Sequence, residues 1–265
     1  MTDCFAFTRG NSPLLISVPH DGRALAPGMA ERMTESGLAL PDTDWHVQRL
    51  YEFSESLGAG IVAANFSRYV VDLNRPSTDE ALYAEQLATG LCSLETFSGA
   101  PVYRQGVALD SAGQTRRVSA YWRPYHAKIE DELCDIKKRF GYALLWDAHS
   151  IASEVPLLFD GVLPDLNIGT NGGKSCDSSI ESAVVASASA SPYSVAVNGR
   201  FKGGFITRHF GRPDTGTHAI QLELAQRIYM DERSRGYDEL AATRLMGTLE
   251  ALLSEYLLSA ERHLN

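Results

Sequence analysis

Leu14-Leu15-Ile16-Ser17-Val18-Pro19-His20-Asp21-Gly22 is the stretch whose reading decides the fold. A short apolar run, β-branched at Ile16 and Val18, breaks off at a proline, a histidine and a glycine. That is the pattern of a buried strand followed by a turn. Ala143-Leu144-Leu145-Trp146-Asp147-Ala148-His149-Ser150 has the same grammar. In α/β sheets, ligands and chemistry gather at the carboxyl ends of the strands. Two strand-end histidines far apart in sequence can therefore meet at one edge of a parallel sheet. Two histidines, a carboxylate and an open water position make a catalytic zinc site. The alternative for either histidine alone is a hydrogen-bonded structural residue.

Outward from these strands, residues 1–13 read as an irregular lead-in and residues 29–36 as a short helix. Pro41-Asp42-Thr43-Asp44 reads as a helix start whose acidic residues offer capping oxygens. Apolar residues from Trp45 to Leu57 then recur at helical spacing until Gly58 and Gly60. Residues 60–66 and 69–73 read as strands, the second stopped by Asn74-Arg75-Pro76. Residues 80–89 read as helical, and residues 110–117 as an exposed turn. Tyr121, Trp122, Tyr125, Ile129, Leu133, Ile136 and Phe140 make an amphipathic helix over residues 120–140, with the aromatic stripe as a packing face. A Gly- and Ser-rich region follows His149, with a helix in residues 176–191. Residues 193–197, 205–209 and 217–225 read as strands, and residues 239–258 as a closing helix. The alternation, with no linker or repeat, implies one domain over residues 1–265: α/β, in three layers α/β/α.

The 265 residues, 44% of them hydrophobic, suffice for one large core or at most two. No apolar run reaches the ~20 residues of a membrane span, and the first residues lack the pattern of a signal peptide. Cys4, Cys92, Cys134 and Cys176 follow no ligand or redox spacing and read as free thiols of a cytoplasmic protein. A net charge of −9 argues against nucleic acid as a partner, which needs a basic face. It leaves room for a small anionic substrate in a local arginine pocket; the oligomeric state stays open. No GxSxG elbow, Walker loop or GxGxxG is present, and Asn171-Gly172-Gly173-Lys174 has the wrong spacing for a phosphate loop.

Glu223 lies in the apolar strand Ile220-Gln221-Leu222-Glu223-Leu224, where a carboxylate is costly unless it is paired or used. Beside a metal it would act as general base and then as proton donor to the leaving nitrogen; its alternative is an edge strand facing water. Asp44 is the first candidate for the third metal ligand, with Asp42, Asp21 and Asp147 in competition. Asp42 and Asp44 could equally serve only as caps, and Asp147 could orient a histidine ligand from behind. Arg68 and Arg75, with Asn74, could clamp a substrate carboxylate, because arginine pairs with carboxylates in a planar, two-pronged way. Their alternative is ion pairing with Asp72 or Asp79. Arg208 is a further anion-binding candidate, and His46 reads as a surface histidine.

Ser17-Val18-Pro19-His20-Asp21-Gly22, Thr43-Asp44-Trp45, Arg68-Tyr69-Val70-Val71-Asp72-Leu73-Asn74-Arg75-Pro76, Asp147-Ala148-His149-Ser150 and Gln221-Leu222-Glu223-Leu224, in this order, resemble the N-formylglutamate amidohydrolase family. The resemblance runs from about residue 12 to about residue 255. It implies a fold similar to zinc carboxypeptidases, with a mixed central sheet, and hydrolysis of N-formyl-L-glutamate to formate and glutamate, the last step of histidine degradation. It also implies one zinc ion on His20, His149 and a carboxylate, with Glu223 as catalytic residue and Asn74 and Arg75 on the substrate carboxylate. Carboxypeptidases carry His-x-x-Glu as their first two ligands. Here Arg23 stands three residues after His20, so the carboxylate comes from elsewhere, and Asp44 fills the gap. The alternatives are a related zinc hydrolase (a carboxypeptidase, or a deacylase of another N-acyl amino acid) and a metal-free dicarboxylate-binding protein.

Overall fold

The two runs that open the sequence argument are strands and lie side by side in the structure, a computed structural model that describes residues 3–80, 89–107 and 109–264. In chain order the strands of the main sheet are β1 (Phe5–Thr8), β2 (Leu14–Val18), β3 (Gly60–Ala64), β4 (Ala143–Ile151), β5 (Leu166–Gly169), β6 (Val195–Val197) and β7 (Thr217–Ala225), and Met230–Asp231 pairs with Gly236–Tyr237 apart from it. Among the described residues β1 to β7 form one sheet in the order β1-β3-β2-β4-β7-β5-β6. The inner strands β3, β2, β4 and β7 are parallel. β1 joins β3 antiparallel, and β5 joins β7 antiparallel. The sheet is mixed, with its parallel part at the centre. β2, β4 and β7 are buried along their whole length, which is why they read as continuous rather than alternating apolar runs.

The helices are α1 (Glu35–Leu38), α2 (Val47–Leu50), α3 (Ser111–Arg117), α4 (Arg123–Phe140), α5 (Ser178–Ser189), α6 (Phe205–Phe210) and α7 (Glu239–Leu264). On one face, α7 sets Leu245, Leu249, Leu252 and Tyr256 against Ile16, Trp146 and Ile220, with α2 and α5 alongside. On the other, α4 sets Tyr125, Ile129, Leu133 and Ile136 over Leu15, Leu145 and Ala219. Each such side chain contributes about 1.5–3 kcal/mol by leaving water. The three α/β/α layers follow. Among the described residues no helix is long and apolar enough to cross a membrane.

Several local expectations are corrected. Phe5–Thr8 is an edge strand, because Phe5 and Phe7 alternate inward onto the α4-side core. Leu166–Gly169 is a buried strand inside the Gly- and Ser-rich region, where no strand is expected from the sequence. Residues 110–117 are not a bare turn: the Asp110 carboxylate accepts from Gly113 N at 2.7 Å and caps α3. Residues 69–73 form turns rather than a strand, since Val70 N donates back to Ser67 O at 2.8 Å and Asp72 N to Leu91 O at 2.7 Å. Their apolar side chains divide between two clusters, Tyr69 and Val70 in one and Val71 and Leu73 in the other.

Residues 205–209 are helical, because the first turn of α6 is capped from another segment. Ile206 N donates to Asn74 Oδ1 at 2.8 Å and Phe205 N to Asn74 O at 3.3 Å. A side chain on Gly204 would strike the Asn74 amide, which fixes glycine there. The helix expected from Asp42 or Asp44 onward starts only at Val47, and its cap is Asp21, which accepts from His46 N at 3.2 Å and Gln48 N at 2.9 Å. The helix read over residues 80–89 falls almost wholly outside the described residues.

Candidate active site

Register assembles the site. Ser17 of β2 stands opposite Asp147 of β4, and His149 of β4 opposite Glu223 of β7. The period-two alternation places Asp147, His149, Gln221 and Glu223 on the face that begins with Leu145 and Ala219. That face is apolar under α4 and turns polar at the carboxyl ends of the strands. His20 comes directly after Pro19, just past the end of β2, and its carbonyl accepts from Asp44 N at 3.1 Å. This bond brings the Asp44 loop to the same edge.

The Asp44 carboxylate, 1% exposed, lies between the two imidazoles. Its Oδ2 is 2.9 Å from His149 Nδ1 and 3.6 Å from His20 Nδ1. Two ligand atoms each ~2.1 Å from a tetrahedral ion stand roughly 3.4 Å apart, between these two values. His20, Asp44 and His149 are the described residues whose ligand atoms converge in this way, all within 4.8 Å of one another. His20 Nδ1 and Asp44 Oδ1 are buried and have no hydrogen-bond partner among the described residues. Arg68 Nη1 stands 3.5 Å from Asp44 Oδ1, an ion pair without a hydrogen bond; a buried polar atom that lacks a hydrogen bond costs about 1–3 kcal/mol, and a cation on these atoms would offset that cost. The donor set fits a divalent metal.

A second ring of groups aims the imidazoles. His20 Nε2 donates to Asp72 Oδ1 at 2.8 Å, and Asp72 Oδ2 accepts from Arg68 Nη2 at 2.7 Å. His149 Nε2 lies 3.2 Å from Asp147 Oδ1 and 2.8 Å from the Asn74 amide nitrogen. Both histidines thus turn Nδ1 towards Asp44 and back Nε2 against a buried carboxylate, the arrangement that orients a metal-ligating imidazole. Burial alone would raise the Asp44 carboxyl, but the two imidazoles hold it below the usual carboxylate range. Burial would lower His149, but Asp147 and Asp44 hold it well above its ordinary value. Arg68 and His20 likewise outweigh burial at Asp72 and keep it ionised.

Beside the cluster opens a cavity of about 630 Å³, its mouth included, lined by His20, His149, Glu223, Gln221 and three arginines, Arg68, Arg75 and Arg200. Glu223, 6% exposed, accepts from Gln221 Nε2 at 3.1 Å. Burial pushes its carboxyl up to about 8, against the pull of His149. β7 lies between β4 and β5, so Glu223 is on an inner strand and not a water-facing edge.

Of the competing carboxylates, Asp21 caps α2, Asp42 accepts from Tyr69 OH at 2.6 Å and Phe97 N at 2.8 Å, and Asp147 backs His149. Asp44 alone among these four meets both Nδ1 atoms. Asn74 and Arg75 line the cavity, as does Arg68, whose guanidinium is also paired with Asp72. The Arg75 guanidinium donates to Thr89 O and Asn74 O, both at 3.1 Å. Arg208 is not brought to this cavity; its Nε donates to Gly203 O at 2.7 Å. His46 is half-buried, with Nε2 2.9 Å from Arg235 O. Sequence reasoning gave Asp72 no role beyond pairing an arginine, although a carboxylate within Val70-Val71-Asp72-Leu73 is the same signal as Glu223. Gln221 and Arg200 were missed, and Arg200, in a loop after β6, carries no local signal.

A cavity of this kind at the carboxyl ends of parallel strands, with a buried carboxylate next to a His–Asp–His cluster, suits hydrolysis of a small acidic compound, and the comparisons agree on the class. The model of the N-formylglutamate amidohydrolase family matches residues 12–230. The N-formylglutamate deformylase of Pseudomonas aeruginosa is 53% identical over 235 residues, 88% of each chain. The enzyme of the same name from Pseudomonas putida is 49% identical over 233 residues, covering 88% of this chain and 87% of its own. The crystal structure of N-formylglutamate amidohydrolase from Ralstonia eutropha JMP134 superposes with a TM-score of 0.83 at 25% identity, over 97% of this chain and 99% of that one. The gene product Atu2144 from Agrobacterium tumefaciens, at 18% identity and a TM-score of 0.76 over 98% and 97% of the two chains, shows the same fold. The chain is an amidohydrolase. It belongs to the N-formylglutamate amidohydrolase family.

Proposed function

We propose that this protein hydrolyses N-formyl-L-glutamate to formate and L-glutamate, with one divalent ion, zinc, held by His20, Asp44 and His149, as the closing step of histidine degradation in the cytoplasm. When bound, the ion supplies a Lewis acid beside the formyl group and lowers the pKa of water towards ~7. Glu223 takes a proton from the attacking water and returns it to the glutamate nitrogen as the C–N bond breaks. A carboxylate that burial has pushed up to about 8 is a stronger base than an exposed glutamate and suits both transfers. Arg75 and Asn74 receive a substrate carboxylate, and Arg68 and Arg200 add positive charge to the same cavity. Asp72 and Asp147 keep the imidazoles in place.

The observation that carries this reading is the convergence of His20, Asp44 and His149, with His20 Nδ1 and Asp44 Oδ1 buried and without hydrogen bonds, next to an arginine-lined cavity that also holds Glu223. The test is release of formate from N-formylglutamate, with N-acetylglutamate in parallel, before and after a chelator. Formate release that the chelator abolishes and zinc restores supports the reading. A rate untouched by the chelator contradicts the metal, and faster release of acetate would make the protein a deacylase of larger acyl groups.

A further inference from the structure

We propose that Trp122 and His126, which touch neither the metal cluster nor the cavity, are positioning residues: from the start of α4 they grip segment 73–75 by its carbonyls and set Asp72, Asn74 and Arg75 against the site. The inference rests on the proposed function, because those three residues serve the metal and the substrate.

The two grips are direct. Trp122 Nε1 donates to Arg75 O at 2.9 Å, and His126 Nε2 donates to Leu73 O at 2.8 Å. A carbonyl can only accept, so the His126 proton is on Nε2, and its buried Nδ1 is left bare. The two rings are four residues apart, on one helix face, and stack at 3.8 Å. Phe205 of α6 packs on both, at 5.5 Å from Trp122 and 5.4 Å from His126. Asn74, between the two gripped carbonyls, caps the start of α6 and lies against His149 Nε2. One aromatic wedge therefore braces the loop from behind and the helix beside it.

The helix is built for this aim. A π turn over Val118–Trp122 precedes α4. Such a turn inserts a residue and rotates the helix beyond it by about 100° relative to an unbroken α-helix. Trp122 stands where the π turn ends, so the insertion sets where the pair points. In position His126 is a buried core histidine, but a core role alone does not call for two donors to carbonyls two residues apart.

The experiment compares Trp122→Phe, His126→Leu and His126→Gln in the full chain. It reads zinc affinity by competition with a chromophoric chelator, KM and kcat for N-formylglutamate, thermal midpoint, and amide exchange at Asn74 and Ile206. Trp122→Phe keeps an aromatic ring but loses the indole N–H and its neutral hydrogen bond to Arg75 O. It should raise KM ~5-fold with kcat nearly unchanged, through Arg75. His126→Leu should weaken zinc binding ~10-fold, through Asp72 and Asn74, and His126→Gln, which keeps a donor, should recover most of that loss. Trp122→Phe and His126→Leu should both speed exchange at Asn74 and Ile206 while the sheet amides stay protected. A lower thermal midpoint with unchanged KM, zinc affinity and local exchange would make the pair merely structural and overturn the proposal, as would no change in any readout. If the parent protein neither binds zinc nor releases formate, the proposed function fails instead. The exchange arm then decides alone: selective loss at Asn74 and Ile206 upholds the positioning role, and uniform or absent loss overturns it.

Discussion

The two walls of the candidate active site are held by different means. On one, His149 and Glu223 stand opposite each other near the ends of β4 and β7, located by ladder bonds and register, and His20 follows two residues after the end of β2. On the other, Asp44, Asp72, Asn74 and Arg75 lie in irregular chain, placed by individual bonds such as Asp44 N to His20 O, Asp72 N to Leu91 O and Trp122 Nε1 to Arg75 O. Each bond of the loop wall is worth about 0.5–1.5 kcal/mol, whereas the strand wall is tied into the whole core. A substitution on the strand wall should therefore change chemistry and leave geometry alone, and one on the loop wall should loosen geometry.

The largest effect sharpens that contrast. Glu223→Gln keeps the shape and the place in β7 but cannot take a proton from water. The account predicts a fall in kcat of roughly 10²–10⁴ with metal content and thermal midpoint retained, read by formate release and metal analysis. Loss of metal alongside activity would make Glu223 a ligand instead. On the loop wall, Asp72→Asn removes the anion behind His20 Nε2 and from the Arg68 pair. Metal affinity should drop roughly 10- to 100-fold, measured by chelator competition; unchanged affinity would show that His20 is held in place without Asp72. Arg75→Ala, losing a charged contact of about 1.5–3 kcal/mol, should raise KM roughly 10- to 100-fold. Arg75→Lys should recover only part of that, because lysine lacks the two-pronged geometry. Equal kinetics in all three proteins would reduce Arg75 to a structural partner of Thr89.

The last effect is on stability. Burial pushes His126 down to about 3 from its ordinary 6.5. The unfolded chain therefore takes up a proton below about pH 6.5 that the folded protein refuses until about pH 3. The stability this residue supports is whole above that window and declines as pH falls through it, by up to about 1.4 kcal/mol per unit. Denaturant midpoints from pH 7 to pH 4 should fall more steeply in the parent protein than in His126→Gln. Parallel slopes would mean that His126 already titrates in the folded state.

The same contrast governs what could be read from sequence. Leu14–Val18, Ala143–Ile151 and Thr217–Ala225 declare themselves, because buried parallel strands need continuous apolar residues and polar exceptions at their ends then stand out. Glu223 was legible for that reason. The loop wall gives no such signal. Residues 69–73 have a strand's composition, yet their side chains divide between two clusters while the backbone turns. Residues 205–209 are helical only because Asn74, more than a hundred residues earlier, caps them. Asp42 and Asp44 resemble helix caps locally, but their partners are Tyr69 and the imidazole of His149, and the cap comes from Asp21. Local patterns report local bonds, and these are bonds between distant segments.

The central claim is that His20, Asp44 and His149 hold one metal ion. It is tested most directly by crystals of the protein grown with zinc, with anomalous difference maps recorded on both sides of the zinc edge. The account predicts one peak per chain, roughly 2.0–2.2 Å from His20 Nδ1, His149 Nδ1 and an Asp44 oxygen. A peak held by other residues, or no peak in crystals of a protein that still releases formate after chelation, would contradict it.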